Sequence, residues 1–542
     1  MGNRSFTRRF PHVKFVAVSH TILTDPRTRA AYAEAAGIYR IVPAGVAIAE
    51  DVTELVALMQ WAAGTRTPLI PRGAGSGMPG GNVGPGVIVD LSAGGGFADL
   101  TIDPHAGTAH AGAAVTCSEV NDAAKPYGLR LPPDPSSALF ATCGGMVATN
   151  AAGPRTVRYG SARSWVEGVE IVGVDGTVRS VHRGQRAETP FSLTTDDRRL
   201  IAERFPKTRK NSSGYALDRF AESGEEVDLL VGSEGTLAIV TAVHWRLDPI
   251  PADIAGVALG FADLEAMTQA VPYLVSLKPS ALELMDRTLL QFVPDAPQVA
   301  CLLLVEFERE TAAAARGAVG DAARGLKHTV SFVETAIDRA GLEELWRVRR
   351  LASPALARLP ASRRSLQVIE DGCVPLDQLG TYIAELHRLA GRHETPVAIF
   401  GHAGDGHVHV NALPDTTRPT WQDSLARLFD DVTDLLVRLG GVPAGEHGVG
   451  RLRAGVLERF YGNEIMDLFR AVKQAYDPLS ILNPGVIIPA TDWSPVSALK
   501  VGATAAAIPE DIATRLREVE RSAAWATPKL ELARQTPQTP DP

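Results

Sequence analysis

Apolar and polar positions in the first half of the chain alternate in short blocks. Residues 47–62 read as a strand entering a helix, with helical apolar spacing after Asp51 and with Asp51 or Thr53 placed to cap the first turn. Short apolar runs at 67–71 and 87–91 predict strands on either side of a glycine-crowded loop. Residues 166–180 predict two strands around an Asp175-Gly176 turn. Residues 227–247 predict strand, loop, strand, and Asp248-Pro249-Ile250-Pro251 then breaks the pattern, which places a domain boundary there. Beyond it, runs at 300–307 and 397–400 predict strands. Helical spacing covers 261–276, 311–324, 341–359, 376–393 and 421–439, and the Ala-rich 311–324 reads as an exposed helix. A last helix near 463–476 stops before Asp477-Pro478. After Pro489 the composition turns to Ala, Pro, Thr and charge, a tail with one helix near 508–522 and a frayed end. The divisions are thus 1–250 (with an N-terminal extension to about 40), 251–490 and 491–542. Interleaved short strands and helices make the class α/β or α+β.

Composition narrows the function classes. At 542 residues and 45% hydrophobic, the chain can build two or more cores. A net charge of −8 and the lack of a basic run argue against nucleic acid. The basic start, MGNRSFTRRFPHVKF, lacks the apolar stretch of a signal peptide. No window is apolar for the ~18 residues of a membrane span, so a cytoplasmic protein is expected, with attachment to the inner membrane surface left open. Cys117, Cys143, Cys301 and Cys373 form no Cys-x-x-Cys pair, which excludes a disulfide framework and a cysteine-ligated cluster of ordinary spacing.

The 50 glycines cluster. Gly75-Ser76-Gly77-Met78-Pro79-Gly80 formally matches the dinucleotide fingerprint Gly-x-Gly-x-x-Gly. That motif must open a helix, and Pro79, Gly80-Gly81 and Gly84-Pro85-Gly86 forbid one. The better reading is a loop whose successive N–H groups form a nest for a pyrophosphate, with Arg72 adding charge or pairing with an acid. A second block, Pro133-Asp134-Pro135-Ser136-Ser137 with Ala141 to Gly153, is small at nearly every position, as a backbone lying against a flat ligand requires. Gly232-Ser233-Glu234-Gly235-Thr236-Leu237 is a third such segment.

Two later stretches carry four of the 13 histidines: Gly401-His402-Ala403-Gly404-Asp405-Gly406-His407-Val408-His409-Val410-Asn411 and Glu446-His447-Gly448-Val449-Gly450. Asp405-Gly406 reads as the turn before a strand, and alternation then sends His407, His409 and Asn411 to one side. His402 can fold back across the turn, and Glu446 arrives from elsewhere. His402, His409 and Glu446 make a three-ligand set with open positions, the arrangement of a catalytic zinc. One spare histidine is a candidate base. The competing reading is a set of hydrogen-bonded histidines at a domain interface.

Together these motifs resemble the FAD-dependent oxidoreductases of the vanillyl-alcohol oxidase type, and within them the D-2-hydroxyacid dehydrogenases. The resemblance is carried by PRGAGSG at 71–77, ATCGGMVATNAAGP at 141–154, GSEGTLAIVT at 232–241, GHAGDGHVHVN at 401–411, GEHGVG at 445–450 and LNPG at 482–485, over roughly residues 40–490. It implies an α+β fold: a PCMH-type FAD-binding domain followed by an FAD-linked oxidase C-terminal domain of antiparallel sheet and helices. It implies FAD on Arg72, Gly73, Ala74, Gly75, Ser76 and Gly77, on Pro133, Asp134, Ser137, Thr142, Gly144, Gly145, Ala148, Asn150 and Ala151, and on Glu234, Gly235, Ile239 and Asn483. Some relatives attach FAD through a histidine near the first loop. None occurs in 71–86, so non-covalent FAD is expected. The resemblance also implies a divalent metal on His402, His409 and Glu446, zinc first and manganese or iron next. His447 becomes the catalytic base, while Asn411 and Arg349 become substrate-binding residues. His407 departs from the family, where asparagine is frequent; an extra ligand, a pocket residue and a solvent-facing side chain all stay open. Ser353 falls where relatives carry a pocket hydroxyl. A lysine for a distal carboxylate has no match in 361–371, where Arg363 or Arg364 could replace it.

The implied reaction oxidises a small D-2-hydroxy acid (D-lactate, glycolate or a D-2-hydroxyglutarate-like acid) to the 2-oxo acid. The hydride goes to flavin N5 and the electrons to an external acceptor: a quinone, a cytochrome, an electron-transfer flavoprotein or an iron–sulfur partner subunit. No cysteine follows Cys373, so any such cluster belongs to another polypeptide. A homodimer is left open. The alternatives are an alkylglycerone-phosphate synthase, which would carry a histidine run in place of Gly445-Glu446-His447, and an electron-transferring FAD subunit.

Overall fold

The computed structural model describes residues 22–93, 95–185 and 189–534. The basic N-terminal stretch and the last eight residues of the expected frayed end lie outside them.

The first domain holds two sheets. In the four-stranded sheet, Gly45–Ile48 and Leu69–Arg72 flank Val87–Asp90 in parallel, and Ile22–Leu23 adds an antiparallel edge. The crossover after Gly45–Ile48 is the helix Val52–Thr65, and Asp51 is its cap, accepting from the Glu54 N–H at 2.8 Å. After Leu69–Arg72 the chain runs as loop, not helix, up to the next strand, as the proline and glycine content demands. The five-stranded antiparallel sheet has the order Leu100–Asp103, Thr108–Gly112, Ile239–Arg246, Val166–Val172, Val178–His182. Ala109, Ala111, Val169, Ile171, Val243 and Trp245 enter the core, and bulges at Val240/Ala242 and His244/Trp245 shift the alternation of the central strand.

One element departs from the expectation. Residues 226–230 form a helix rather than a strand. All five of its side chains are buried, with Glu226 paired to Arg179 and Asp228 to Arg163 and Arg183, so no solvent-facing stripe betrays the period.

The second domain is a six-stranded antiparallel sheet in the order Val330–Ala336, Asp253–Phe261, Cys301–Arg309, Ala281–Asp286, Val397–His402, His409–Ala412. Leu264–Ser276, Ala312–Gly325, Leu379–Arg392 and Trp421–Arg438 pack on one face, and Arg339–Ala357 on the other. The Ala-rich helix buries Ala315, Val319 and Ala322 on that face. The inner strands Asp253–Phe261 and Ala281–Asp286 are buried on both faces nearly throughout, so neither carries an apolar–polar alternation to detect.

The chain then crosses back. Leu457–Tyr476 and the segment after it place Tyr461, Ile465, Phe469, Val486 and Ile487 in the core of the first domain. Finally Glu510–Ser522 and Lys529–Ala533 set Ile512, Leu516, Val519 and Leu532 against Ala30, Ala31, Tyr32, Ile70 and Ile88. The polypeptide of 251–490 thus contributes to both cores, and the tail is docked through residue 534.

Candidate functional site

A cavity of about 1100 Å³ lies between the domains. It exceeds the ~300–1,000 Å³ of an ordinary small-molecule site. Its lining includes Arg72, Gly73, Ala74, Gly75, Ser76 and Gly77, then Ser137, Thr142, Gly144, Gly145, Ala148 and Ala151, then Glu234, Gly235 and Ile239. The three glycine-rich segments therefore share one wall. They meet closely: a Cβ on Gly73 would stand 2.3 Å from Thr142 Oγ1. A flat ligand can reach the backbone only because those side chains are small.

Several of the residues expected at the cofactor also brace this wall. Among the described residues Arg72 pairs with no acid; its Nη2 donates to Glu34 O at 2.9 Å and its Nη1 to Tyr32 O at 3.2 Å, pinning the loop to the N-terminal segment. Asn483, at φ 44°, donates from Nδ2 to Gly81 O and Glu234 O and accepts from Arg451. Glu234, at φ 52°, accepts from the Val449 and Gly450 N–H groups, and burial pushes its carboxyl up to about 7. Two non-glycine residues held at positive φ beside one cavity mark a backbone over-determined by its surroundings. Asn150 accepts from the Arg163 N–H, and Asp134 pairs with Arg155; with Pro133, neither lines the cavity.

The histidine stretches converge on the same cavity, next to Glu234. Val397–His402 and His409–Ala412 are neighbouring strands, and Gly406 at φ 71° turns the chain between them. His402 Nε2, His409 Nε2 and Glu446 Oε1 stand 3.0, 3.3 and 3.3 Å apart. Corners of a tetrahedron with bonds of ~2.0–2.1 Å are about 3.3 Å apart, so this triangle is one face of a zinc-like site. His409, Asn411, Glu446 and His447 line the cavity, and His402 is buried behind them. The His447 ring stacks on His409, centroids 4.9 Å apart and planes at 15°.

Four residues that carry no motif complete the site. Glu283 accepts from His402 at Nδ1 (2.5 Å) and from Arg349 at Nε (2.8 Å). Burial alone would raise its pKa, but those two cations hold it at about 2, and the same carboxylate lifts His402 to about 9 against its own burial. Glu370 Oε2 lies 2.8 Å from His447 Nδ1, and Asp371 accepts from the His447 N–H at 2.9 Å. Burial opposes protonation of His447, yet Glu370 and Asp371 raise it to about 10. Lys210 Nζ meets Glu446 Oε2 at 2.6 Å, leaving Oε1 to the histidines. Glu370 and Asp371 lie on no predicted element, and Lys210 sits in a segment with no periodic signal, so only folding reveals them.

His407 is fully buried and does not line the cavity. Its Nε2 engages Asp371 at 2.8 Å, and burial with the nearby Lys210 charge lowers it to about 3. Arg349 lines the cavity from the helix Arg339–Ala357, stacked over Phe400 at 4.4 Å. Asn411 Oδ1 accepts from Ser365 Oγ at 3.0 Å and Gln367 Nε2 at 3.2 Å. Ser353 and Arg364 also line the cavity; Arg363 is exposed and does not. Arg364 is bound to Glu520 of the tail helix, and Arg517, Arg521 and Trp525 of the tail stand along the same rim.

Residues 43–182 match the model of an FAD binding domain and residues 250–487 that of the FAD linked oxidases, C-terminal domain. The chain is 31% identical to a D-lactate dehydrogenase of Archaeoglobus fulgidus over 80% of this chain and 89% of that enzyme. It is 29% identical to the glycolate oxidase subunit GlcD of Bacillus subtilis, over 82% and 89%. With a D-2-hydroxyglutarate dehydrogenase of Escherichia coli it shares 28% over 83% of this chain, which spans 49% of that protein. Among solved structures, p-cresol methylhydroxylase matches with a TM-score of 0.64 at 16% identity, covering 88% of this chain and 96% of that one. An alkyldihydroxyacetonephosphate synthase matches at 0.62 and 15%, covering 86% and 82%. At those identities the likeness is one of fold.

Proposed function

The chain belongs to the FAD-dependent D-2-hydroxyacid dehydrogenase family and is an FAD-dependent oxidoreductase; from that premise we propose that it oxidises a small D-2-hydroxy acid to its 2-oxo acid. The carrying observation is the triangle of His402, His409 and Glu446 with His447 stacked beside it, at the same cavity as the glycine wall.

The residues present fit both groups the family implies. FAD would be held by the small-residue wall of 72–77, 142–151 and 234–239, non-covalently since 71–86 has no histidine; when bound it would supply the acceptor for the C2 hydride. A divalent metal, zinc ahead of manganese or iron, fits His402, His409 and Glu446 and supplies a Lewis acid for the substrate hydroxyl. Charge supports it: five buried carboxylates (Glu283, Glu370, Asp371, Asp405, Glu446) face three buried fixed cations (Lys210, Arg349, Arg453).

The protein groups then divide the work. Arg349 is held by Glu283 through Nε alone, which leaves the end of its guanidinium to pair with the substrate carboxylate. Asn411, held by Ser365 and Gln367, positions the substrate beside it. Glu370 grips His447 Nδ1 and turns Nε2 towards the substrate hydroxyl; a metal charge on the neighbouring His409 and Glu446 would lower His447 from the value of about 10 that the carboxylates alone give it, freeing Nε2 to take the hydroxyl proton. The tail and the Arg339–Ala357 helix both contribute to the cavity wall. Electrons leave to a separate acceptor of the quinone, cytochrome, flavoprotein or iron–sulfur kind. An anaerobic panel of D- and L-2-hydroxy acids tests the reading: a D-acid should bleach the flavin of the purified protein without partners. A flavin that stays oxidised with every 2-hydroxy acid overturns it.

A further inference from the structure

Away from that cavity, on the outer face of the five-stranded sheet, His110, His244 and Glu170 converge with a fourth residue, His182. His244 faces His110 across one strand junction and Gly168 across the other, and Gly168 in turn faces His182. Gly168 is what lets the row close up: a Cβ there would stand 2.4 Å from His182 Nδ1. His182 therefore lies across the Val166–Val172 strand, its ring centroid 4.6 Å from that of His244, and His110 stands 4.7 Å away on the other side. Both pairs are tilted by 54° rather than stacked, so ring edges rather than ring faces converge.

The ligand atoms have metal-site spacing. Glu170 Oε1 is 3.1 Å from His110 Nε2 and 3.5 Å from His244 Nε2, and one ligand atom from each of the three residues lies within 4.8 Å of the others. The first two distances bracket the roughly 3.3 Å edge of a tetrahedral site. His244 Nε2 is buried and has no hydrogen-bond partner, an orphaned ring nitrogen aimed into the cluster. His182 Nε2 is already engaged by Ser180 Oγ at 2.8 Å. His110, His244 and Glu170 are each about a third exposed, so an ion can enter from solvent.

We propose that His110, His244 and Glu170 bind a second divalent transition metal of the zinc class, with water completing the coordination and His182 beside it. Such an ion ties together three adjacent strands, Thr108–Gly112, Ile239–Arg246 and Val166–Val172, at the centre of the sheet whose other face packs the core of the FAD domain. The site is structural: none of its residues lines the cavity. The sheet site itself is independent of the proposed function; only the count of two ions per chain rests on it.

Metal counting on the flavin-loaded protein tests it. The protein is stripped with a chelator, equilibrated at micromolar free zinc, and its zinc measured per flavin. The expected result is two per chain in the wild type and one in His110→Asn/His244→Asn, with flavin reduction by substrate unchanged. Glu446→Gln, which disables the catalytic cluster, should keep the sheet ion. Zinc should raise the unfolding temperature of Glu446→Gln, and this rise should vanish when Glu170→Gln is added. The proposal is overturned if the His110→Asn/His244→Asn protein holds as much zinc as the wild type, or if Glu446→Gln holds none. A sheet ion that appears only at millimolar zinc also overturns it.

Discussion

At the scale of single residues, carboxylates that touch no substrate set the behaviour of the histidines. Glu370 fixes the ring of His447, Glu283 fixes that of His402, and Asp371 engages His407. His407 is thus a strut: its ring spans from Asp371 towards Lys210, 3.5 Å from Nδ1, and backs the cluster without reaching the cavity. Replacing His447 by Asn should leave FAD bound and slow flavin reduction by about 10²–10⁴-fold, the usual worth of a positioned base; stopped-flow absorbance reads this, and unchanged reduction refutes the base assignment. Glu283→Gln acts one step further out. It should weaken metal retention by about 10–100-fold, as loss of a carboxylate behind a ligating histidine does. Competition with a chromogenic chelator measures it, and because Arg349 loses the same partner, KM should rise in parallel.

At the scale of elements, the tail helix Glu510–Ser522 is where charge and packing combine. Glu520 accepts from Arg517 at 2.9 Å, binds Arg364 of the second domain, and lies 3.4 Å from Lys500. Burial would raise its pKa, but Lys500, Arg364 and Arg517 hold it at about 2. A carboxylate depressed in the folded state contributes stability that is complete above its unfolded value, roughly 4.3. That contribution is lost as the pH falls from there towards 2. Wild type should therefore unfold at a higher temperature than Glu520→Gln at pH 6, and the gap should narrow steadily as the pH falls from 4.5 to 3. A gap independent of pH over that range would show that the cations do not hold Glu520. The helix at 226–230 teaches a different lesson about elements: five residues give too little periodicity to tell helix from strand when every side chain is buried.

At the scale of the molecule, the cavity is assembled from segments scattered from the first glycine loop to the tail. The Leu457–Tyr476 helix and LNPG segment return to the first domain, and Asn483 locks the glycine loop to Glu234 there. The tail then closes the outer rim. Ending the chain at residue 507 would uncover Ala30, Ala31, Ile70 and Ile88 beneath the tail and open the rim. The truncated protein should lose flavin on ultrafiltration faster than the full chain and unfold at a lower temperature, while the triangle of ligands, which the tail does not touch, should still take up zinc. Equal flavin retention would mean that the tail covers the cavity without sealing it.

The sequence by itself determined the interleaving of short strands and helices, the three glycine segments and the turn between His402 and His409, because each is local. A loop of small residues, a turn before a strand, and a histidine two positions from another are fixed by chain geometry within a few bonds. It also determined that the first glycine motif opens no helix, since Pro79 and its glycines forbid one wherever they sit. Only the tertiary structure decided which groups tune those ligands. Glu283, Glu370, Asp371 and Lys210 reach the histidines from strands and loops far along the chain, and a lone buried charge carries no sequence period. Arg364 and the tail are the same case: a long-range ion pair, Arg364 with Glu520, exists only because helix packing brings its ends together. Local pattern names the chemistry, while the balance of charge and burial around it belongs to the folded chain.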